Sequence, residues 1–349
     1  MDRPATPAEL AAALADHAAA RRVIRLGGAF TKDRLGGTLF RDPAAVITTA
    51  RLNRILQYEP RDLTISVEAG LPWRDLQEEL RKHNQMIPLD PPWHDAATVG
   101  GVLAANQSGP RRRYYGTARD CVIGMTFATL EGQLLRTGGI VVKNVAGLDL
   151  AKLLIGSWGT LAAIAVANFK VFPIPPATRT FVFSFPDLAA AIAARDRIVR
   201  SVLQPAAMDL LNPAAAERIG RAGWILALQA GGNRAVLDRY RRELPAAAVV
   251  EDDAPFWRSI REFTPDFFAA HPRASQHKRS TTLSEQPAAI AALPGPVVAR
   301  AASGVSYGHA IDDAPPNIPA PGGFEIMSRI KRLFDPEALL NPGRLHGLL

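Results

Sequence analysis

The sequence predicts an α+β protein of two domains followed by a separate C-terminal helix. Three observations carry this. The chain has 349 residues, 48% apolar and 21% charged, the balance of a globular protein with room for about two cores. Its middle stretch, residues 88–173, is dense in glycine, light in long helical patterns, and closes on the proline cluster VFPIPPATR. Beyond that cluster, short apolar alternations interleave with helical patterns of roughly ten to fifteen residues, the texture of a compact α+β layer. The boundaries read as 1–175, 176–324 and 325–349.

The elements follow in order. Thr6-Pro7-Ala8-Glu9 is a capping box with proline at the first helical position, and it predicts an alanine-rich helix to about Arg22. VIRLGG is a short strand ending in a glycine turn, and residues 45–49 form a second strand. Residues 64–69 alternate, with Ile65, Val67 and Ala69 on one face and Thr64, Ser66 and Glu68 on the other. Gly70-Leu71-Pro72 turns the chain into a helix whose inner face is Trp73, Leu76 and Leu80. After the proline cluster, Phe181, Phe183 and Phe185 mark a strand and residues 187–202 a helix. Residues 207–211, 224–229 and 246–251 read as strands and 234–244 as a helix. DDAPPNIPAPGG is a second link. A last helix carries Ile326, Ile330, Leu333 and Phe334, stopped by Asp335-Pro336.

The bulk numbers exclude several classes. The single cysteine, Cys121, rules out a disulfide framework, a cysteine zinc site and any iron–sulfur cluster built by this chain alone. No apolar run reaches the roughly 20 residues of a membrane span. Acidic residues interrupt the N-terminus, which therefore does not read as a secretory signal, so a cytoplasmic chain is expected. The net charge of +8 fits nucleic acid, an anionic surface, an acidic partner or an anionic ligand equally, and its arginines are dispersed. No two glycines stand two apart, which removes the G-x-G-x-x-G fingerprint; no glycine precedes lysine, which removes the P-loop; H-E-x-x-H is absent. What remains is a set of separate glycine turns at 27–28, 100–101, 108–109, 138–139 and 156–159. Such turns free backbone N–H groups to approach an anion, and several in one domain suit a large, extended ligand with a pyrophosphate.

LGGAFTK, YEPRDLTISVEAGLPW and PLDPPWHDAATVGGVLAANQSGPRRRYYGTARDCVIG stand in that order, followed by VVKNVAGLDLAKLLIGSWGTLAAI and FDPEALLNPGR. Together they resemble the FAD-binding domain of the vanillyl-alcohol-oxidase (PCMH-type) superfamily. Within it they are most similar to the smaller FAD-binding subunits of bacterial glycolate oxidase. The resemblance implies two subdomains holding FAD between them, an antiparallel α+β cap, and a C-terminal helix returning to the first domain. It implies that Gly27, Gly28, Ala29, Phe30, Thr31 and Lys32 surround the FAD pyrophosphate. Thr98, Val99, Gly100, Gly101, Asn106, Ser108 and Gly109 would line the flavin and ribityl chain. Gly116, Arg119 and Asp120 would buttress that loop. Gly156, Ser157 and Gly159 would lie along the adenosine, the Ile164 backbone would meet adenine, and Asn341 would return toward the isoalloxazine. Trp93, beside the flavin loop, is the one tryptophan expected near the cofactor, while Arg111 to Arg113 read as a solvated rim.

Departures qualify the inheritance. Leu148 and Ala162 replace a tyrosine and a glycine of the family pattern, and residues 27–32 hold no histidine, so FAD is expected to be noncovalent. The H-x-G-D-G-N segment that hydroxy-acid-oxidising relatives use for metal and carboxylate is missing, and no metal ligand set is implied. Oxidising a 2-hydroxy acid on flavin needs a base and a cation for the carboxylate. The candidates are His277, His309 and Tyr307, with His271 and Arg279 beside them in a stretch, HPRASQHKRS, that reads as loop. The resemblance therefore implies an FAD-binding subunit of a glycolate-type oxidising complex. A larger FAD-containing subunit would oxidise the hydroxy acid, a separate iron–sulfur subunit would pass electrons on, and contact with the membrane would run through the complex. Alternatives are a self-sufficient FAD-dependent 2-hydroxy acid dehydrogenase, a structural subunit that lost FAD (hinted by bulky Phe30), and a nucleic-acid binder.

Overall fold

In the computed structural model, residues 1–39, 41–107, 109–140, 149–250, 253–312, 322–345 and 347 are described. Ser108, the segment with Leu148 and most of the second proline-rich link lie outside them.

Among its described residues the first domain has nine strands: β1 (Ile24–Gly27), β2 (Ala45–Thr48), β3 (Ile55–Glu59), β4 (Thr64–Glu68), β5 (Gln85–Met86), β6 (Val122–Ala128), β7 (Leu134–Gly138), β8 (Ala163–Lys170) and β9 (Phe172–Pro173). β1 and β2 pair in parallel, while β3-β4-β8-β6-β7 form an antiparallel sheet. The helix Pro7–Ala19 starts as its capping box dictates: Thr6 Oγ1 accepts from Glu9 N at 3.1 Å, and the Glu9 carboxylate accepts from Ala5 N at 2.7 Å. It packs with β1 and β2 on one side of the five-stranded sheet. The helices Trp73–Arg81 and Val99–Ala105 contribute to the core on the other side. Trp73, Leu76 and Leu80 are fully buried as their spacing predicts, each contributing roughly 1.5–3 kcal/mol. Because layers cover both faces, all of β4 is buried, including the polar side of its alternation. Glu68 tolerates this because its carboxylate accepts from Arg54 N at 2.9 Å and Arg54 Nη2 at 2.7 Å.

The second domain is one antiparallel sheet of β10 (Ala177–Phe185), β11 (Ala207–Leu211), β12 (Trp224–Gly232), β13 (Ala248–Val250), β14 (Ser275–Ser280), β15 (Val297–Arg300) and β16 (Val305–Ala310). The order is β13-β10-β12-β11-β15-β16-β14. One core includes the helices Leu188–Arg200 and Arg234–Glu243. A second core takes Phe256, Ile260, Phe263, Phe267 and Phe268 from the helices Ala254–Arg261 and Phe263–Ala270. It also takes Leu35 from the first domain and packs against Trp93 and Trp158, so it joins the two domains. HPRASQHKRS is not a loop: its second half is β14, paired antiparallel with β16 so that His277 faces Gly308. The polar composition that hid this strand suits a sheet edge, where charged side chains discourage pairing with other chains.

The final helix, Phe324–Phe334, does return to the first domain, but not on the stripe its apolar residues predict. Ile330 and Phe334 meet the core, whereas Ile326 and Leu333 are 62% and 80% exposed. The helix is rotated because Lys331 is buried beside them. Its Nζ donates to Thr160 O (2.7 Å), Leu340 O (3.0 Å) and Asp335 Oδ2 (2.6 Å), and Asp335 in turn accepts from the N–H groups of Leu339 and Leu340. At 3.6 residues per turn, facing Lys331 inward swings Ile326 and Leu333 to the flank. Substituting Lys331→Met strands the Asp335 carboxylate and two carbonyl acceptors. It is expected to cost about 3 kcal/mol, seen as a lower urea midpoint and earlier proteolytic cleavage before residue 335.

Candidate functional site

The loop after β1 has the free amides that an anion nest needs. Among the described residues, the N–H groups of Gly28, Ala29, Phe30, Thr31 and Lys32 donate to no protein acceptor. Consecutive free amides concentrate partial positive charge on one point. Two contacts set this shape. Phe30 holds a left-handed backbone (φ 55°) and folds its ring back over Gly27, beneath the Arg25 guanidinium 4.6 Å from the ring centre. A Cβ at Gly27 would lie 2.5 Å from that ring. The bulk of Phe30 is thus absorbed by its neighbours. At Gly28 a Cβ would lie 2.0 Å from Thr98 Oγ1, so glycine is what lets the first and second loops touch.

Thr98 caps the helix Val99–Ala105, its Oγ1 accepting from Gly101 N at 3.3 Å. An open hollow of about 440 Å³ lies between this helix and the nest, lined by residues 26–33, Thr98, Gly101, Ala104, Ala105, Trp158 and Arg344. Asn106 ends the helix in a left-handed conformation (φ 44°). Beyond it a second hollow of about 320 Å³ is lined by Pro88, Leu89, Val102, Asn106, Gln107, Gly109, Arg112 and residues 116–118. The structure therefore gathers Gly27 to Lys32 with Thr98 and Gly101 at one hollow, and Asn106, Gly109 and Gly116 at the other.

The remaining sequence-selected residues stand behind these walls. Val99 and Gly100 are buried in the packing against β4 and Ala69. Asp120 accepts from Thr117 N and Thr117 Oγ1 at 2.7 and 2.8 Å, which fixes the turn at Gly116; Arg119 reaches the Ile155 carbonyl at 3.5 Å. Ile164 is buried in β8 opposite Phe127. Ser157 is buried and its carbonyl accepts from Thr160 Oγ1 at 2.7 Å, while Gly156 approaches Asn106 and Gly159 approaches Asn341. Asn341 is the clearest departure from expectation. Its amide is spent on backbone: Oδ1 accepts from Leu26 N (2.9 Å), and Nδ2 donates to Leu26 O, Trp158 O and Gly159 O. It holds the site together from behind and has no free donor for an isoalloxazine.

Sequence reading missed three contributors. Arg344, in the same NPGR motif as Asn341, is buried and donates to Asp33 O (2.8 Å), Gly37 O (2.7 Å) and Asp33 Oδ1 (2.7 Å), clamping the end of the nest loop. Glu262 accepts from the N–H groups of Trp93 and His94 across the domain boundary. Trp158 lines the larger hollow. Arg344 and Trp158 were legible as members of quoted motifs, NPGR and GSWG; Glu262 had no local signal.

Residues 1–138 match the FAD binding domain family, and residues 174–264 with 318–345 match the C-terminal domain of FAD linked oxidases. The chain carries an FAD binding domain and the C-terminal domain of FAD linked oxidases. Relatives include the glycolate oxidase subunit GlcE of Escherichia coli, 41% identical over 125 residues (36% of either chain). The glycolate oxidase subunit GlcD of Bacillus subtilis is 32% identical over 51% of this chain and 38% of its own. The mitochondrial D-lactate dehydrogenase [cytochrome] 1 of Saccharomyces cerevisiae is 32% identical over 57% of this chain and 34% of its own. These matches span well under half of each relative's length. An alkyldihydroxyacetonephosphate synthase structure shares the fold, with a TM-score of 0.73 over 97% of this chain and 75% of that one at 19% identity. FAD fits the nest: five free amides and a buried lysine face a hollow in which a diphosphate would find its donors.

The expected catalytic side chains of the cap do not face either hollow. His309 is buried between the Phe263 and Phe267 rings, 5.0 and 5.3 Å away. Thr264 Oγ1 accepts from Gln276 Nε2 and so donates to His309 Nε2 (2.9 Å), leaving Nδ1–H to donate to Pro296 O (3.0 Å). Burial pushes this histidine down to about 4. Tyr307 is buried, its ring 5.5 Å from the Arg300 guanidinium. His277 is half-buried against Ser275 Oγ at 3.1 Å, burial lowering its pKa with help from Arg279, and the His271 ring packs on Phe267 at 4.7 Å. GVSYG at 304–308 spells G-x-S-x-G, a motif expected to be absent from this sequence. It runs into β16 with Ser306 fully buried, not through a strand–turn–helix elbow.

Two outcomes follow. Gly28→Ala is expected to weaken FAD binding at least tenfold, about 1.4 kcal/mol, by flavin fluorescence titration, because the nest and Thr98 must part. His309, with its folded pKa below the unfolded 6.5, contributes stability that is complete above about pH 6.5 and lost as pH falls toward 4. The loss is up to roughly 3 kcal/mol, and urea midpoints of His309→Gln are expected to be flatter across that window.

Proposed function

We propose that this chain is the FAD-binding subunit of a complex that oxidises a 2-hydroxy acid of the glycolate type. In this reading it holds FAD noncovalently and supports electron transfer with a larger flavoprotein subunit and an iron–sulfur subunit. The observation that carries it is a contrast: the cofactor loop is furnished for an anion, while the cap histidines and Tyr307 are buried or turned to other partners. The amides of residues 28–32 would take the diphosphate. Thr98, Gly101, Asn106 and Gly109 would flank the ribityl and flavin, and Gly156, Ser157 and Gly159 the adenosine side. FAD bound there supplies two-electron redox chemistry; the chain's own groups bind and orient it. Among the described residues, neither hollow is lined by histidine or cysteine, and Cys121 is fully buried with its thiol pushed up to about 12, which supports noncovalent attachment. With a single cysteine, iron–sulfur clusters fall to a partner, and no described helix is long and apolar enough to cross a membrane. A cytoplasmic place, meeting the membrane through partners, is consistent with both.

A self-sufficient 2-hydroxy acid dehydrogenase is the second reading, favoured by one cluster. Asp209 on β11 is fully buried, pushed up by burial to about 6, and paired with Arg300 on β15. That is a base near neutrality beside a cation for a carboxylate. It ranks second because neither residue lines a hollow.

The test is the isolated chain. Acid precipitation is expected to leave yellow FAD in the supernatant, and anaerobic glycolate or D-lactate to leave its visible band unbleached. Bleaching that disappears in Asp209→Asn would establish the second reading instead.

A further inference from the structure

Lys32 is buried with almost no partner for its Nζ. It is 6% exposed, yet among the described residues its Nζ makes one hydrogen bond, to Thr31 Oγ1 at 3.5 Å, the outer limit of such a contact. The Trp93 ring covers it at 5.7 Å. The carboxylate facing it from the cap, Glu262, already accepts from Trp93 N (2.9 Å), His94 N (3.2 Å) and Arg261 Nε (2.9 Å). On the loop's other side Asp33 is taken by Arg25 and Arg344, and His94 turns its Nδ1 to Asp95 at 3.0 Å. A buried ammonium with unspent N–H donors is costly, and burial lowers Lys32 to about 7 against the partial pull of Glu262. The same side chain lines the hollow beside five free amides.

We propose that binding of the FAD diphosphate to this loop draws one proton from solvent onto Lys32 Nζ, so that cofactor loading is coupled to pH through this side chain. The inference rests on the FAD reading above. The bookkeeping is simple: the diphosphate enters as an anion, neutral Lys32 gains H⁺ from the buffer, and the ammonium then has phosphate oxygens as acceptors. A lysine whose pKa rises on binding makes affinity highest at low pH. Affinity then falls about tenfold for each pH unit above the free-state value.

The experiment uses the full-length apo chain and FAD. Titration calorimetry in HEPES and in Tris at pH 8 is expected to give enthalpies differing by close to one proton's worth of buffer ionisation. Fluorescence titrations from pH 6.5 to 8.5 are expected to show Kd rising more than tenfold. Lys32→Arg, charged throughout, should flatten that dependence while keeping tight binding. Lys32→Met, checked for folding by circular dichroism, should bind at least tenfold more weakly at pH 6.5 with no slope. FAD binding with no proton exchange, or an unchanged slope in Lys32→Met, overturns the proposal and leaves the cofactor reading standing. No FAD binding at any pH overturns both.

Discussion

The side-chain amide of Asn341 is the joint on which this molecule turns. Four hydrogen bonds run from one buried group to β1 at Leu26 and to the carbonyls of Trp158 and Gly159. The backbone beside it extends the same seam, since Ile24 N donates to Leu339 O and Asn341 N to Ile24 O. Leaving buried amide or carbonyl groups unpaired costs about 1–3 kcal/mol each, so the arrangement is held as a unit. Its effect is to fix the exit of β1, where the nest begins, relative to the turn at 156–159. The last residues of the chain therefore shape a loop that lies among its first thirty.

Beyond that joint, several buried charges meet partners supplied by other segments. Lys331 with Asp335 seats the last helix, Arg344 grips the nest loop, Arg54 neutralises Glu68, and Arg195 meets Gln286 and the Ala301 carbonyl inside the second domain. Lys32, by contrast, has only the 3.5 Å contact to Thr31 Oγ1 among the described residues, and it lies where an anionic cofactor is expected. The domain boundary is largely apolar, with Leu35, Trp93 and Trp158 set against the cap's phenylalanines and Glu262 gripping the Trp93–His94 backbone. Packing of this kind presses the cap onto the cofactor side of the first domain and leaves His309 as part of the wall.

Local sequence was sufficient where a signal is local. The Thr6 box started its helix, Trp73, Leu76 and Leu80 found one face, and the phenylalanine alternation at 181–185 became β10. It failed where the deciding partner is remote. Ile326 and Leu333 look like a core stripe until Lys331 finds the Thr160 carbonyl. SQHKRS looks like loop until β16 supplies a ladder for it. His309 looks available until Thr264 and Pro296 occupy both its nitrogens.

By itself, then, the sequence carried the α+β class and, through its ordered motifs, the resemblance to FAD-binding domains, because caps, alternation and short motifs act over a few residues and survive any tertiary arrangement. Only the tertiary structure decided which side chains are free to do chemistry. Burial and hydrogen-bond satisfaction depend on segments far apart in the chain, and they turned Asn341 and His309 into supports while leaving Lys32, in the expected cofactor loop, buried with one long hydrogen bond among the described residues.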